Sequence, residues 1–498
     1  MFTAECPSCG AKVSLRASQS TTAVCGFCKS TLVRDAEALK RIGVQGELLE
    51  DYSRVQIGTG GRFEGRGFTV VGRIQLRYTD GGWNEWYVLY DDGSTGWFSE
   101  ASGQYALTLD RGPAPGVPGF DALKPGMTAA VKGERYTVTD KRVAQCTAGE
   151  GELPFPVDSR WEARVVDLRS GDKLITLDWS AGETATLYAG SAVALESLSP
   201  TLLRSAAAVE ETAGAIEGGL LQLECPSCGA SVRYVPKLAT HVTCRQCKSE
   251  LAGKPEGLVL EVQRADSSER STWLQLGDEG TFDGERYTVI GALARAVDDD
   301  PSSEWFEFLL YSPKQGFRWI VQAEGRFQWV EVLNELPDEA GGGARVGDQR
   351  FNRREMYGAV NTWVAGSFNW RPRVGDRVTV TEFDRVSGSS RTVLSREQSE
   401  SELTWSRAVD LPVATLSTAF GKTSGPSAAT RAGAGAAGAT LAARAGRTVR
   451  DLAWIFSVAL AVFCLPAVFV GEIDDLVAPL FIAYLALWLP LRFESKDD

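Results

Sequence analysis

Apolar positions in the first half of the chain fall in short runs separated by turn residues. Residues 68–78 are rich in Val, Ile, Thr and Tyr, residues 79–82 read Thr-Asp-Gly-Gly, and residues 83–90 are a second apolar and aromatic run. β-Branched and aromatic runs bounded by Asp and Gly predict a strand hairpin. An Asp-Asp-Gly-Ser cluster at 91–94 breaks the chain before Gly96, Trp97 and Phe98, and further runs follow at 136–143, 161–168 and 173–179. Turn signals at intervals of roughly ten residues predict an antiparallel barrel or sandwich. Helical patterns are confined to connectors, at 35–41 and 202–216.

The same grammar occurs twice. At a constant shift of 219 residues, Phe63, Gly65 and Gly72 align with Phe282, Gly284 and Gly291; farther on the shift becomes 222, pairing Trp83, Glu85 and Trp97 with Trp305, Glu307 and Trp319. Three residues inserted near the acidic turn at Asp298, Asp299 and Asp300 account for the change. A fainter echo aligns residues 149–155 with 364–370. A period this long is outside the range of solenoid repeats, so two tandem modules are expected, at 56–199 and 275–413.

The pattern changes at the C-terminal end. Residues 421–450 are dominated by Ala, Gly, Ser and Thr, carry five Lys or Arg and no acid, and read as a flexible basic linker. Residues 452–470 follow, nineteen positions with Ser457 as the one polar side chain, and then residues 476–491, sixteen positions without a charge. A helix of the first length spans about 30 Å of hydrocarbon, so a transmembrane hairpin is expected at 452–491. Arg444, Arg447 and Arg450 precede it, Arg492 and Lys496 follow it, and the loop between has acidic charges alone, which predicts both ends on the cytoplasmic side of an inner membrane.

Cysteine spacing adds chemistry. Cys6, Cys9, Cys25 and Cys28 form one tetrad and Cys225, Cys228, Cys244 and Cys247 a second, each made of two CxxC pairs separated by fifteen residues. Each CxxC turn aims two thiolates at one ion, and two turns complete the tetrahedral shell that Zn2+ prefers. Zinc ribbons are therefore expected at 1–34 and 220–253, with iron as the alternative ion for the same all-sulfur shell. Four thiolates leave no open position for water, so both sites are read as structural. The N-terminal residues show no charged and apolar leader, in keeping with reduced thiols.

Composition narrows the function. Hydrophobic residues at 44% and charged residues at 23% are near globular averages over the 498 residues. The net charge of −12 falls entirely on residues 1–420, which hold 45 basic and 57 acidic residues, and an acidic body of this kind argues against nucleic acid as a partner. A single histidine, His241, excludes two-histidine zinc protease motifs and leaves little for Ser-His or Cys-His catalysis. Because His241 aligns with Thr22 in the first ribbon, it is read as an ordinary residue beside the metal. Residues 420–423 end like a phosphate-binding loop, but Leu416 stands where the first glycine belongs.

The pattern of Gly72, Trp83, Glu85, Trp86, Leu89, Tyr90, Gly96 and Trp97, followed by Gly149, Gly151, Glu152 and Leu153, resembles the bacterial domain of unknown function 4178, or YjfK-like family. The second copy resembles it through Gly291, Trp305, Glu307, Phe308, Trp319 and Gly366, with Ser367 in place of Glu152. Family members commonly lie near genes for phage-shock-type membrane-stress proteins, small membrane proteins and polyamine-synthase-like enzymes. The resemblance implies a membrane-associated accessory role and transfers no catalytic residues.

Two functional expectations follow. The first is a membrane-anchored, non-enzymatic adaptor that meets a membrane or membrane-associated protein partner. The alternative is a sensor of a small polyamine-like cation held by Glu85, Trp97, Glu307 and Trp319, since a carboxylate beside tryptophan faces attracts an organic cation by charge and cation–π contact. Set against this, the same tryptophans read as core and the glutamates as salt-bridge partners.

Overall fold

The computed structural model describes residues 2–422 apart from 18, 36–37, 45–52, 102, 157–160, 206, 210–220, 226–230, 235–240, 245–248, 255–256, 263–271, 324, 369 and 388–389. The predicted linker beyond Lys422 and the predicted hairpin at 452–491 lie outside the described residues. Among the described residues no helix is long and apolar enough to cross a membrane.

The protein is mainly β. In the first module, eight antiparallel strands carry the architecture: β1 (Arg66–Tyr78), β2 (Gly81–Tyr90), β3 (Thr95–Ala101), β4 (Gln104–Pro113), β5 (Glu134–Leu153), β6 (Glu162–Ser170), β7 (Lys173–Asp178) and β8 (Thr186–Val193). The strands form two four-strand meanders, β1 to β4 and β5 to β8, joined where β4 pairs with β8 and where β5 pairs with β1. The sheet therefore returns on itself as a barrel, which removes its main free edges. The second module repeats this in β9 (Glu285–Val297), β10 (Asp300–Ser312), β11 (Gly316–Ala323), β12 (Arg326–Val332), β13 (Gln349–Phe368), β14 (Arg377–Ser387), β15 (Ser390–Gln398) and β16 (Leu403–Leu411), closed by β13 pairing with β9. The three extra residues near Asp298 lengthen a hairpin: β10 has 13 residues where β2 has 10.

Both faces of each sheet are buried, and this is why the strands carry long apolar runs. Outside the first barrel, Phe120 and Leu123 cover one side of β5 to β8, while Val55, Leu195 and Leu198 cover β1 to β4. Inside it, Ile74, Leu76, Tyr87, Trp97, Ala144 and Ala163 form a second cluster. In the second module a short helix, α1 (Val413–Ala419), places Leu416 against the outer face of the β9 to β12 meander.

Repeated glycines mark where backbones meet. In β5, Gly151 has φ +70° and opposes Gly72, where an added Cβ would lie 1.7 Å from the Glu152 carbonyl oxygen. In the second module Gly366 has φ +93° and opposes Gly291. The fainter sequence echo thus marks the crossing of the two meanders in each copy. The sequence expectation of helix at 35–41 is corrected: Ala38–Val44 is a strand, paired as a hairpin with Ser30–Asp35. Hydrogen bonding to an existing strand edge outweighs a weak helical propensity here. Of the helix expected at 202–216, residues 207–209 are helical and 210–216 lie outside the described residues.

Each module is preceded by two small hairpins, Phe2–Glu5 with Lys12–Leu15 and Thr22–Val24 with Ser30–Asp35 in the first copy, Leu221–Glu224 with Ser231–Tyr234 and His241–Thr243 with Glu250–Lys254 in the second. In each copy the second hairpin extends the barrel sheet, through Val24 opposite Gly151 and Thr243 opposite Gly366.

Candidate functional site

The first tetrad is assembled by its two hairpin ends. The sulfur atoms of Cys6, Cys9, Cys25 and Cys28 all lie within 4.8 Å of one another, and the pairs Cys6–Cys28 and Cys9–Cys25 are 3.7 Å apart. That is too long for a disulfide and close to the ~3.8 Å edge of a sulfur tetrahedron around zinc with bonds of about 2.3 Å. Tight turns present the ligands: the Gly10 N–H donates to the Cys6 carbonyl and the Lys29 N–H to the Cys25 carbonyl, with Gly10 at φ +75° and Lys29 at φ +54°. Side-chain and backbone hydrogen bonding with Ser30 lowers the Cys28 thiol to about 6. At Cys9 a lowering backbone hydrogen bond with Ala11 is outweighed by desolvation and hydrogen bonds with the other three cysteines, which push that thiol up to about 12, so the protons are unevenly shared among the four sulfurs. This four-cysteine group is able to hold a metal ion. In the second tetrad Cys225 and Cys244 are buried at the corresponding hairpin ends, and Cys228 and Cys247 lie outside the described residues. His241 is a strand residue opposite Phe368.

A buried carboxylate locks the first cysteine hairpins to the barrel. Glu152 Oε2 accepts hydrogen bonds from the Arg16 N–H at 2.6 Å, the Ala17 N–H at 3.0 Å and the Ser20 hydroxyl at 3.1 Å. Here is a role for the carboxylate that Ser367 replaces in the second copy.

The larger feature is a cavity of about 1580 Å3 that runs between the two modules and into both barrel interiors. The modules meet around it through polar contacts. Arg142 donates to the Ser401 hydroxyl and ion-pairs with Glu402 at 2.7 Å, Gln398 donates to the Pro125 carbonyl, and Arg373 pairs with Asp80. Glu85, Trp97, Glu307 and Trp319 all line this one cavity. Trp97 is 8% exposed and packs on Tyr87, Glu307 is ion-paired, and each borders the open space of the cavity.

The two glutamates share an architecture. Alternation on β2 puts Trp83 and Glu85 on the inner face, and the Trp83 indole N–H donates to Glu85 at 2.8 Å; in β10 the Trp305 indole N–H donates to Glu307 at 2.8 Å. Their charge environments differ. Glu85 takes its second hydrogen bond from the Ser99 hydroxyl at 2.7 Å, and desolvation pushes its carboxyl up to about 8. Glu307 instead ion-pairs with Arg295 at 3.0 Å, and Arg295 also holds Glu397 at 3.0 Å. Burial disfavours the Arg295 charge, but the two carboxylates outweigh it and the guanidinium binds its proton more tightly than usual.

Strand register reveals further acids that residue-by-residue alignment missed. Arg142 opposes Val165, which opposes Asp178; Tyr357 opposes Val380, which opposes Glu397. Asp178 is therefore the counterpart of Glu397. By the same register Asp167, opposite Asp140, matches Glu382, opposite Glu355. Desolvation raises Asp167 and Asp178 above the usual carboxylate range, as it does Glu355, to about 7. The signal that could have found Asp167 and Asp178 is strand alternation: they follow Ala163 and Val165, and Leu174 and Thr176, on one face of β6 and β7. Charges in that place read as a solvated face until the barrel closes over them. Phe155 and Trp161, stacked at 4.6 Å, complete an aromatic wall beside Trp97.

Comparison with known proteins supplies a family and no activity. The family described as Domain of unknown function (DUF4178) matches residues 56–194 and 275–412. No curated protein matches the chain. A solved structure titled "The complex structure of Pseudomonas aeruginosa MucA/MucB" aligns with 11% identity and a TM-score of 0.12, over 75% of this chain and 94% of that one, a likeness too low to carry an argument.

Proposed function

The chain belongs to the domain of unknown function 4178 family, in two tandem copies, and from that premise we propose that it is a non-enzymatic, ligand-responsive adaptor tethered to the cytoplasmic face of a membrane. One observation carries this reading: both modules contribute to a single aromatic and charged cavity, bordered by the polar contacts that hold them together. A molecule entering such a cavity touches both barrels, so binding biases how they pack. The metal sites are assigned as zinc, in both tetrads, with the role of stapling hairpins too small to bury a core. The apolar hairpin at 452–491 supplies the tether, and tethering concentrates the adaptor near membrane partners.

The test uses the full chain in mild detergent. A panel of small metabolites grouped by charge is screened for a rise in melting temperature and a change in tryptophan fluorescence. We expect a compound that stabilises the wild type and loses its effect in Trp97→Ala and Trp319→Ala variants that remain folded. A panel without a stabilising compound, or one whose hits survive both substitutions, refutes the cavity as the functional site.

A further inference from the structure

The two copies treat the same corner of the barrel differently. In the second module Arg295 sits between Glu307 and Glu397, 3.0 Å from each, with its guanidinium 5.8 Å from the Trp305 ring centroid. In the first module both acids and the indole have counterparts: Glu85 for Glu307, Asp178 for Glu397, Trp83 for Trp305; Tyr357, which packs on Trp305, is matched by Arg142, whose charge is taken by Asp140 and Glu402. The counterpart of Arg295 is Leu76. Register fixes this equivalence independently of sequence alignment, because Leu76 opposes Trp83 and Cys146 while Arg295 opposes Trp305 and Asn361. Leu76, Trp83, Glu85 and Asp178 all border the cavity. Glu85 meets an indole and a hydroxyl, Asp178 accepts from the Ser180 N–H, and neither is ion-paired among the described residues.

We infer that the first barrel binds a small organic cation with a guanidinium head, seated between Glu85 and Asp178 against Trp83, in the position that Arg295 fills internally in the second barrel. The second copy serves as an internal comparison, since it shows which cation these residue types accept. Arginine's planar fork suits two carboxylates, and a partly desolvated site strengthens the pairing. The wall of Trp97, Phe155 and Trp161 offers apolar surface to the ligand's stem. An entering cation also explains how carboxylates held above their ordinary range become useful: the ligand supplies the countercharge that ionisation lacks. The inference rests on the ligand-responsive reading above and narrows it to one module and one headgroup.

The experiment is calorimetric titration of the full chain in mild detergent with butylguanidinium, and with butylurea as its neutral counterpart of similar shape. The expected result is binding of butylguanidinium at or below about 1 mM and no heat from butylurea up to about 10 mM. Leu76→Arg, which installs the second copy's own cation, is expected to abolish binding without lowering the melting temperature. Glu85→Gln with Asp178→Asn is expected to weaken binding at least about tenfold, and decides the matter if Leu76→Arg fails to fold. Equal binding of butylurea, undiminished binding in the folded variants, or no heat from butylguanidinium overturns the inference. Should the metabolite panel yield an uncharged or anionic ligand while butylguanidinium is silent, this inference falls and the cavity reading stands. Silence from both defeats the two together.

Discussion

Replacing Arg295 by Leu gives the second barrel the residue that the first carries at Leu76. The cation lost is 7% exposed at its side chain and pairs with Glu307, 14% exposed, and Glu397, 33% exposed. The Glu307 carboxyl is then left buried beside the Trp305 indole without a countercharge, opposite Val321 where Glu85 has the Ser99 hydroxyl. Burial without a countercharge favours the protonated acid. The stability deficit therefore grows as pH rises through and above the ordinary carboxylate range and is smaller in acid. At pH 7 it is ~3 kcal/mol, the lower end of what breaking a buried ion pair costs. In melting temperature it corresponds to roughly 10 °C for a module of this size.

The assay is urea unfolding of Arg295→Leu and wild type at pH 5 and pH 7, followed by tryptophan fluorescence. Urea is chosen because guanidinium chloride would supply the cation whose removal is under study. The double variant Arg295→Leu with Glu307→Gln should lose most of the pH dependence, since the carboxyl that titrates is gone. Equal destabilisation at pH 5 and pH 7, or none at either, refutes the argument that charge compensation is what Arg295 provides.

The remaining expectations address the metal, the latch, the strand crossing and the tether. Metal analysis of the purified chain should return two zinc ions, falling to one in Cys6→Ser with Cys25→Ser; two ions in that variant would disprove the first site. Glu152→Ala removes three hydrogen bonds to the 16–20 segment, costs ~2–4 kcal/mol, and should speed amide exchange at Arg16 and Ala17; unchanged exchange there would show that the latch is dispensable. Gly72→Ala places a methyl 1.7 Å from the Glu152 carbonyl oxygen, so the strands must separate at a cost of ~1–3 kcal/mol or more. A melting temperature within about 2 °C of wild type contradicts that. Full-length protein should float with lipid vesicles at high salt, and a chain ending at residue 422 should not; flotation of both would reject the hairpin as anchor.

The strands, their hairpins and the duplication are legible because period-2 alternation and turn residues are local signals. Closure of each barrel is not, since it depends on β5 pairing with β1, and the local trace of that contact is a pair of glycines, Gly72 and Gly151, whose reason is a backbone approach. The four-cysteine group at Cys6, Cys9, Cys25 and Cys28 is readable from spacing because two CxxC turns bring four sulfurs together. Glu85 and Glu307 were found through the repeat, whereas Asp167 and Asp178 were not, because the second copy uses Glu382 and Glu397 at those positions and the shift there differs from that at Glu85. Register, a three-dimensional property, was needed to see the match. The 35–41 segment misled for the opposite reason: its local propensity is helical, and a neighbouring strand edge decides its conformation.

Duplication makes an internal cation economical. A lone barrel with carboxylates facing its interior must either neutralise them or hold them protonated, and both cost stability. With two copies the tasks separate. The second barrel ties Glu307 and Glu397 to Arg295, while the first keeps Glu85 and Asp178 beside open space with no ion pair among the described residues. Sites that bind are commonly less stable than the scaffold around them, because pre-satisfied groups have nothing left to offer a ligand. The Arg142 contacts to Ser401 and Glu402 then matter for more than cohesion: they join the two barrels beside the cavity. On the proposed reading, a cation bound between Glu85 and Asp178 enters the same cavity that Arg142, Ser401 and Glu402 line, so its occupancy is coupled to the packing of the two modules.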